Sequence, residues 1–181
     1  MEKNNNHMIV KVVDYNPNWT KQFEEEANKI QDQLVNVIQN IYHIGSTAVP
    51  NLKAKPIIDI MLEVDDLTRL DKQSFKLENL AYEAKGAFGI PGRRYFRKGG
   101  DNRTHQIHAF KSGDFNLVRH LAFRDYLIAH KNIANEYGEL KFNIAQRCNN
   151  DIEQYCDEKD AFVKHHEAIA VKWYRTIKRI N

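Results

Sequence analysis

The stretch that decides the reading is His43-Ile44-Gly45-Ser46-Thr47-Ala48-Val49-Pro50-Asn51-Leu52-Lys53-Ala54-Lys55-Pro56-Ile57-Ile58-Asp59-Ile60. A short strand, Ile41 to Ile44, ends at the small pair Gly45-Ser46. A loop with two lysines follows. Then comes the run Ile57-Ile58-Asp59-Ile60-Met61-Leu62, apolar on both faces apart from one carboxylate. Such continuous apolar character predicts a central strand, Ile57 to Val64, covered on both sides. A Gly-Ser turn lets a phosphate approach backbone N–H groups closely. The hydroxyls of Ser46 and Thr47 add donors, and Lys53 and Lys55 offer point charges to phosphate.

Asp59 has two readings. An ionised carboxylate within an apolar strand is costly unless it is paired or binds a metal. In the first reading Asp59 holds Mg²⁺, an ion that keeps waters and substrate phosphates as its other ligands, while the Gly45-Ser46 turn holds a triphosphate. In the second, Asp59 forms a buried pair with a basic residue such as Arg94 or Arg103, because structural ion pairs imitate functional sites.

Working outward, Met8 to Val13 reads as a strand, and Asn16-Pro17-Asn18 breaks it. Trp19, Phe23, Ala27, Ile30, Leu34 and Val37-Ile38 recur at helical steps, so a long first helix is expected, capped by Asn18 or Thr20. Leu67 to Tyr82 reads as a second helix. Gly86 to Gly100 reads as loops around a short strand, Arg94 to Lys98, and Thr104 to Phe110 as another strand. Three helices are expected after that: Phe115 to His130, Ile133 to Arg147 and Ile152 to Lys178. Asn149-Asn150-Asp151 marks the last break and supplies a cap. Strands in the first two thirds and helices in the last describe an α/β (α+β) domain, a mixed sheet covered by helices.

The 181 residues suit one domain, with 8–112 as the sheet core and 113–181 as the helical part. Residues 1–7 are polar and expected to fray. Hydrophobic residues make up 42% and charged residues 28%, which fits a packed core rather than a disordered chain. A net charge of +3, from 27 basic and 24 acidic residues, gives no strong nucleic-acid signal. No apolar run approaches the roughly 20 residues of a membrane span. Two cysteines without an export signal point to a cytoplasmic protein with ordinary thiols.

Arg93, Arg94, Arg97, Lys98 and Arg103 are interleaved with Tyr95 and Phe96. Basic residues with aromatics can hold a nucleotide through bidentate contacts and stacking. The alternative is a solvated strand edge. Arg94 and Arg103 are the favoured phosphate contacts; Arg93, Arg97 and Lys98 are assigned to plain surface. Along a strand His105 and His108 face opposite ways, whereas Gln106 and His108 share a face. His108 is read either as a metal partner of Asp59 or as a hydrogen-bonded structural residue. His43 either touches the ligand or fastens the turn. Arg124 either reaches the cleft or sits in an ion pair.

These residues resemble the GrpB family of the nucleotidyltransferase superfamily. The resemblance rests on the string from His43 through Asp59, on Arg103-Thr104-His105-Gln106-Ile107-His108, on His120-Leu121-Ala122-Phe123-Arg124-Asp125-Tyr126-Leu127 and on Tyr15-Asn16-Pro17-Asn18-Trp19. It covers the chain from about Ile9 to about Phe162. It implies a nucleotidyltransferase-like, polymerase-β-like sheet and Mg²⁺-dependent transfer of a nucleoside monophosphate from an NTP to a small-molecule acceptor, with pyrophosphate released. Related domains also occur fused to dephospho-CoA kinases. One departure matters: active members of the superfamily usually carry a second acid two residues after the first, and here that position is Met61. Glu63 lies roughly 13 Å along the strand, too far to share an ion with Asp59. Three functions follow: a magnesium-dependent transferase, a non-catalytic nucleotide- or phosphate-binding module, and an interaction or folding-assistance domain.

Overall fold

The computed structural model describes residues 8–179. The expected frayed start, residues 1–7, lies outside them. The acid-bearing run forms β2, Ile58–Val64, which is second in a five-stranded sheet. Its antiparallel neighbour is β1, Ile38–Ile44, at the edge. On its other side β5, His105–Lys111, runs parallel to it. Then come β4, Arg94–Lys98, and β3, Tyr82–Ala84, each antiparallel to its neighbour. The order β1-β2-β5-β4-β3 is a mixed sheet. With the helices packed on it, this is an α+β fold.

Alternation along β2 divides its side chains between two layers. Ile58, Ile60, Leu62 and Val64 join Ile107, Ala109 and Phe96 in the main core, where α1, Asn18–Gln33, contributes Trp19 and Ile30. On the opposite face Met61 and Phe110 pack against Leu117 of α4, Phe115–Ala129. Both faces of β2 are therefore covered along most of its length, which is why its sequence is apolar apart from Asp59 and Glu63. Asp59 lies on the α4 face, near the start of the strand. The helices α4, α5 (Lys131–Arg147) and α6 (Ile152–Lys178) share a second core around Ala122, Tyr126, Ala134 and Ala170. Asp151 caps α6 by accepting from Gln154 N–H at 3.0 Å.

Four expectations need correction. Met8 to Val13 adds no strand to the sheet; it makes only an isolated bridge between Val13 and Ala54. Val10 and Val12 are apolar because they pack on Ile144, Cys148 and Tyr155 of the helical layer. The first helix stops at Gln33, and Ile38 already belongs to β1. Leu34, Val37 and Ile38 are buried in a turn and a strand start, where a helical period cannot be told from plain burial. Neither Asn18 nor Thr20 caps that helix; Asn16 Oδ1 accepts from Asn18 N–H at 3.0 Å.

Finally, Leu67 to Tyr82 is not one helix. It divides into α2, Leu67–Lys72, and α3, Phe75–Glu78, and then enters β3. Ala81, at φ 67°, reverses the chain into the strand. Tyr82 is thereby carried into the core, where its hydroxyl donates to Glu26 Oε1 at 2.9 Å.

Candidate functional site

Hydrogen-bonded register places Ile44, Asp59, Gln106 and Arg97 in one row across β1, β2, β5 and β4. Paired residues share a face, so Asp59, Gln106 and Arg97 all look out on the same side. β1 ends beside this row and turns at Gly45, whose φ of 72° and ψ of −171° suit only glycine. A Cβ there would sit 2.7 Å from Asp59 Oδ2. The turn then closes as a short 3-10 segment, Ser46–Ala48.

Thr47 ties the turn to the start of β2. Its hydroxyl donates to Ile57 O at 3.3 Å. With that proton spent, Thr47 Oγ1 accepts from His43 Nε2 at 2.9 Å, so the imidazole carries its hydrogen on Nε2. His43 also stacks on Phe23, with ring centroids 4.7 Å apart and planes at 7°. Burial lowers its pKa from 6.5 to about 4. A neutral, stacked His43 fastens the turn and is not on the cleft wall.

The Asp59 carboxylate is partnered but not sealed. His108 Nε2 lies 3.1 Å from Oδ1, and the Asp59 side chain keeps 25% of its surface exposed. The partner is thus a histidine of the adjacent strand, not Arg94 or Arg103. Met61, two residues on, is fully buried, and Glu63 is taken up by Asn40 and Tyr42. Among the described residues no three His, Cys, Asp or Glu side chains converge to hold a metal. This donor set fits a magnesium that arrives on a polyphosphate and adds Asp59 as its carboxylate. It does not fit a pair of protein-held ions.

Asp59 opens into a cleft of about 730 Å³ between the sheet and the helical layer, a size typical of small-molecule sites. Six cationic side chains line it: Lys55, Arg97, Arg103, Arg119, Lys141 and Lys159. Four carboxylates oppose them, and one of these, Glu167, is engaged by Arg119 at 2.8 Å. Arg103 Nε is buried without a hydrogen-bond partner, as is His108 Nδ1. Burial holds the Lys55 ammonium below the ordinary lysine range. Arg97 is likewise paired, with Glu83 at 2.8 Å, but among the described residues Lys55, Arg103, Lys141 and Lys159 have no carboxylate partner, and anions are what such a wall suits.

The structure brings Gly45, Ser46, Lys55, Asp59, Arg103 and Gln106 to this cleft. Thr47 borders it but is a correction: its buried hydroxyl is committed to Ile57 O and His43 and is no phosphate donor. Arg94 is a correction. It lies on the opposite face of β4 and makes a bidentate pair with Asp71 at 2.6 and 2.8 Å. One residue along a strand reverses the face, and Arg97, assigned to plain surface, is the β4 arginine in the cleft. Lys53 is held outside by Glu139 and Asp14. Arg124 donates to His43 O at 3.0 Å and pairs with Asp125, so it braces β1 rather than a ligand. Arg93 is buried; it donates to the carbonyls of Ala87 and Phe88 and fastens that loop.

Several cleft residues, Lys141, Arg119, Lys159 and His120 among them, escaped the sequence reading. Lys141 occupies a core position of α5, in the buried series Ala134, Tyr137, Gly138, Lys141, Ile144. A lysine on an apolar helical stripe was the available signal. Lys159 and His120 carry no comparable mark. Burial pushes the His120 imidazole well below 6.5, and Arg119 donates to its Nε2 at 3.3 Å.

The GrpB protein family matches residues 9–168. This chain belongs to the GrpB family. It is 42% identical over 164 residues to the UPF0157 protein YqkA of Bacillus subtilis, covering 91% of this chain and 48% of YqkA. The chain thus spans about half the length of that relative. It is 33% identical over 158 residues to the glutamate-rich protein GrpB of Alkalihalophilus pseudofirmus, covering 84% of this chain and 90% of that protein. The crystal structure of the conserved protein GrpB from Enterococcus faecalis superposes with a TM-score of 0.87 at 44% identity, over 91% of this chain and 99% of the other. The mixed sheet and its helical layer are thus the GrpB fold. Among the described residues no helix is long and apolar enough to cross a membrane.

Proposed function

We propose that this GrpB-family protein binds a nucleoside triphosphate, with the phosphates against the Gly45-Ser46 turn and the accompanying magnesium against Asp59. One observation carries the reading: Asp59, on the largely apolar strand β2, opens into a cleft lined by six lysine and arginine side chains. The resemblance of the His43-to-Asp59 string to nucleotidyltransferases supports it. Gly45 lets the turn come close to Asp59, Ser46 offers its hydroxyl, and Lys55 and Arg103 offer charge. A bound magnesium would neutralise phosphate charge there. His108 orients the carboxylate through its 3.1 Å hydrogen bond.

Binding without two-ion transfer is the better-supported form, because Met61 stands where a second acid would project. A second reading retains transfer of a nucleoside monophosphate to a small acceptor. The Asp59–His108 pair favours it, as a carboxylate held in place by a second polar group.

The test is thermal stability with ATP, GTP, CTP and UTP, each with and without Mg²⁺. A ligand at one hundred times its Kd adds about 2.7 kcal/mol to folded-state stability. A magnesium-dependent rise in the wild type, absent in Asp59→Ala, is expected for at least one nucleotide. Pyrophosphate release with candidate acceptors then separates transfer from binding. No shift with any nucleotide removes the reading.

A further inference from the structure

We propose that Lys141 is a contact for a phosphate group of the cleft's ligand and that it acquires a proton as the phosphate arrives. This rests on the nucleotide reading and adds to it a named subsite and a measurable proton.

Lys141 reaches the cleft from α5 with only 2% of its surface exposed. Its Nζ donates to Ser46 Oγ at 2.7 Å and lies 4.4 Å from the centroid of the Tyr137 ring. Among the described residues no carboxylate pairs with it. A hydroxyl and a ring face do not compensate a buried ammonium, for which the desolvation cost is several kcal/mol. The groups that face it are mostly cations. Lys159 comes from α6 and Lys55 from the loop before β2, and each sits over the Tyr155 ring, at 5.9 and 4.8 Å. Asp59 on β2 is the one acid that acts on it favourably, and His108 already engages that carboxylate.

Burial first, then Lys159 and Lys55, hold Lys141 well below the ordinary lysine range, while Asp59 works the other way. In the empty cleft, burial and the two neighbouring lysines thus disfavour the charged ammonium. A phosphate beside Ser46 reverses this balance, because an anion in a low-dielectric site favours the charged ammonium. Binding therefore draws a proton from solvent. The ligand chemistry is a polyphosphate, either as the tail of a nucleotide or as the free ion.

The experiment is calorimetric titration at pH 8 in two buffers of different ionisation enthalpy, with inorganic tripolyphosphate and with ATP as the probes. It uses the wild type, Lys141→Met and Lys141→Arg. The wild type is expected to take up about one proton more per ligand than Lys141→Met, since linkage equates the count with the change in bound protons. Lys141→Met is also expected to bind about tenfold more weakly while remaining at least as heat-stable without ligand, because its apolar chain has no charge to desolvate. Lys141→Arg keeps its charge at every accessible pH, so it binds without the extra proton and is the less stable protein when empty. If Lys141→Met fails to fold, the arginine variant carries the comparison. Equal proton counts in wild type and variants, or undiminished affinity in Lys141→Met, overturn the inference alone. No binding of either probe by the wild type overturns it together with the nucleotide reading. Binding of ATP but not tripolyphosphate, with the extra proton present, assigns the subsite to the nucleotide tail.

Discussion

Gly45 lies so close to Asp59 that a methyl group on its Cα would press on the carboxylate, with Cβ 2.7 Å from Oδ2. The backbone there, at φ 72° and ψ −171°, is also one that only glycine adopts without strain. Gly45→Ala is therefore expected to lose about 1–3 kcal/mol from the backbone alone. The displaced carboxylate should weaken magnesium-dependent nucleotide binding further. Chemical denaturation and nucleotide titration of the variant check both effects. A variant as stable as the wild type would contradict the geometry.

His43 predicts an acid-sensitive turn. Burial lowers its pKa from 6.5 to about 4. Between those values the unfolded chain binds a proton that the folded chain refuses, so stability rises with pH across this window. The contribution is complete above pH 6.5 and is lost as pH falls towards 4. His43→Gln, which keeps a donor for Thr47, should show a shallower loss of stability over that range in denaturation at stepped pH.

Glu26 anchors a different edge of the fold. It is 3% exposed and accepts from Tyr82 at 2.9 Å and from Lys98 at 2.8 Å. Burial pushes its carboxyl upward, and those hydrogen bonds more than offset it, so it titrates below 4.5. A depressed carboxylate stabilises the fold above its unfolded pKa and ceases to do so as pH falls through the folded value. Glu26→Gln should cost about 1–3 kcal/mol at pH 7, the range for disturbing a buried charged hydrogen bond, and should remove part of the stability loss seen below pH 4.5.

The two arginines first expected to act together should behave differently. Arg103→Ala removes a cation from the cleft wall and is expected to weaken nucleotide binding about tenfold, as loss of a charge-assisted contact does. Arg94→Ala breaks only the Asp71 pair on the far face, so affinity should be unchanged and stability should fall by less than about 1 kcal/mol. Titration of both variants with the same nucleotide decides it.

Residues whose local pattern has one physical meaning were legible. The apolar run of β2, the Gly45-Ser46 turn and the α4–α6 helices all read correctly because burial on two faces, a strained turn and helical periodicity leave direct marks. Where one pattern serves two structures, the sequence misleads. Leu34 to Ile38 fits a helix end as well as a strand start, and only packing against β2 decides. β3 was hidden because three residues, Tyr82–Ala84, are too short to show alternation. The cleft was half visible for a related reason. Gly45, Ser46 and Asp59 are close in sequence, whereas Lys141 Nζ meets Ser46 Oγ across 95 positions. Arg94 and Arg97 were interchanged because the face each presents depends on how β4 registers with β5, which the chain's local chemistry does not encode.

The central claim, that the Asp59 cleft is a nucleotide site, is tested most directly by a crystal structure with a non-hydrolysable nucleoside triphosphate and Mg²⁺. The account predicts phosphate oxygens within hydrogen-bonding distance of the Ser46 turn and a metal ion on the Asp59 carboxylate. A nucleotide seated elsewhere, or a cleft that stays empty at saturating ligand, would contradict it.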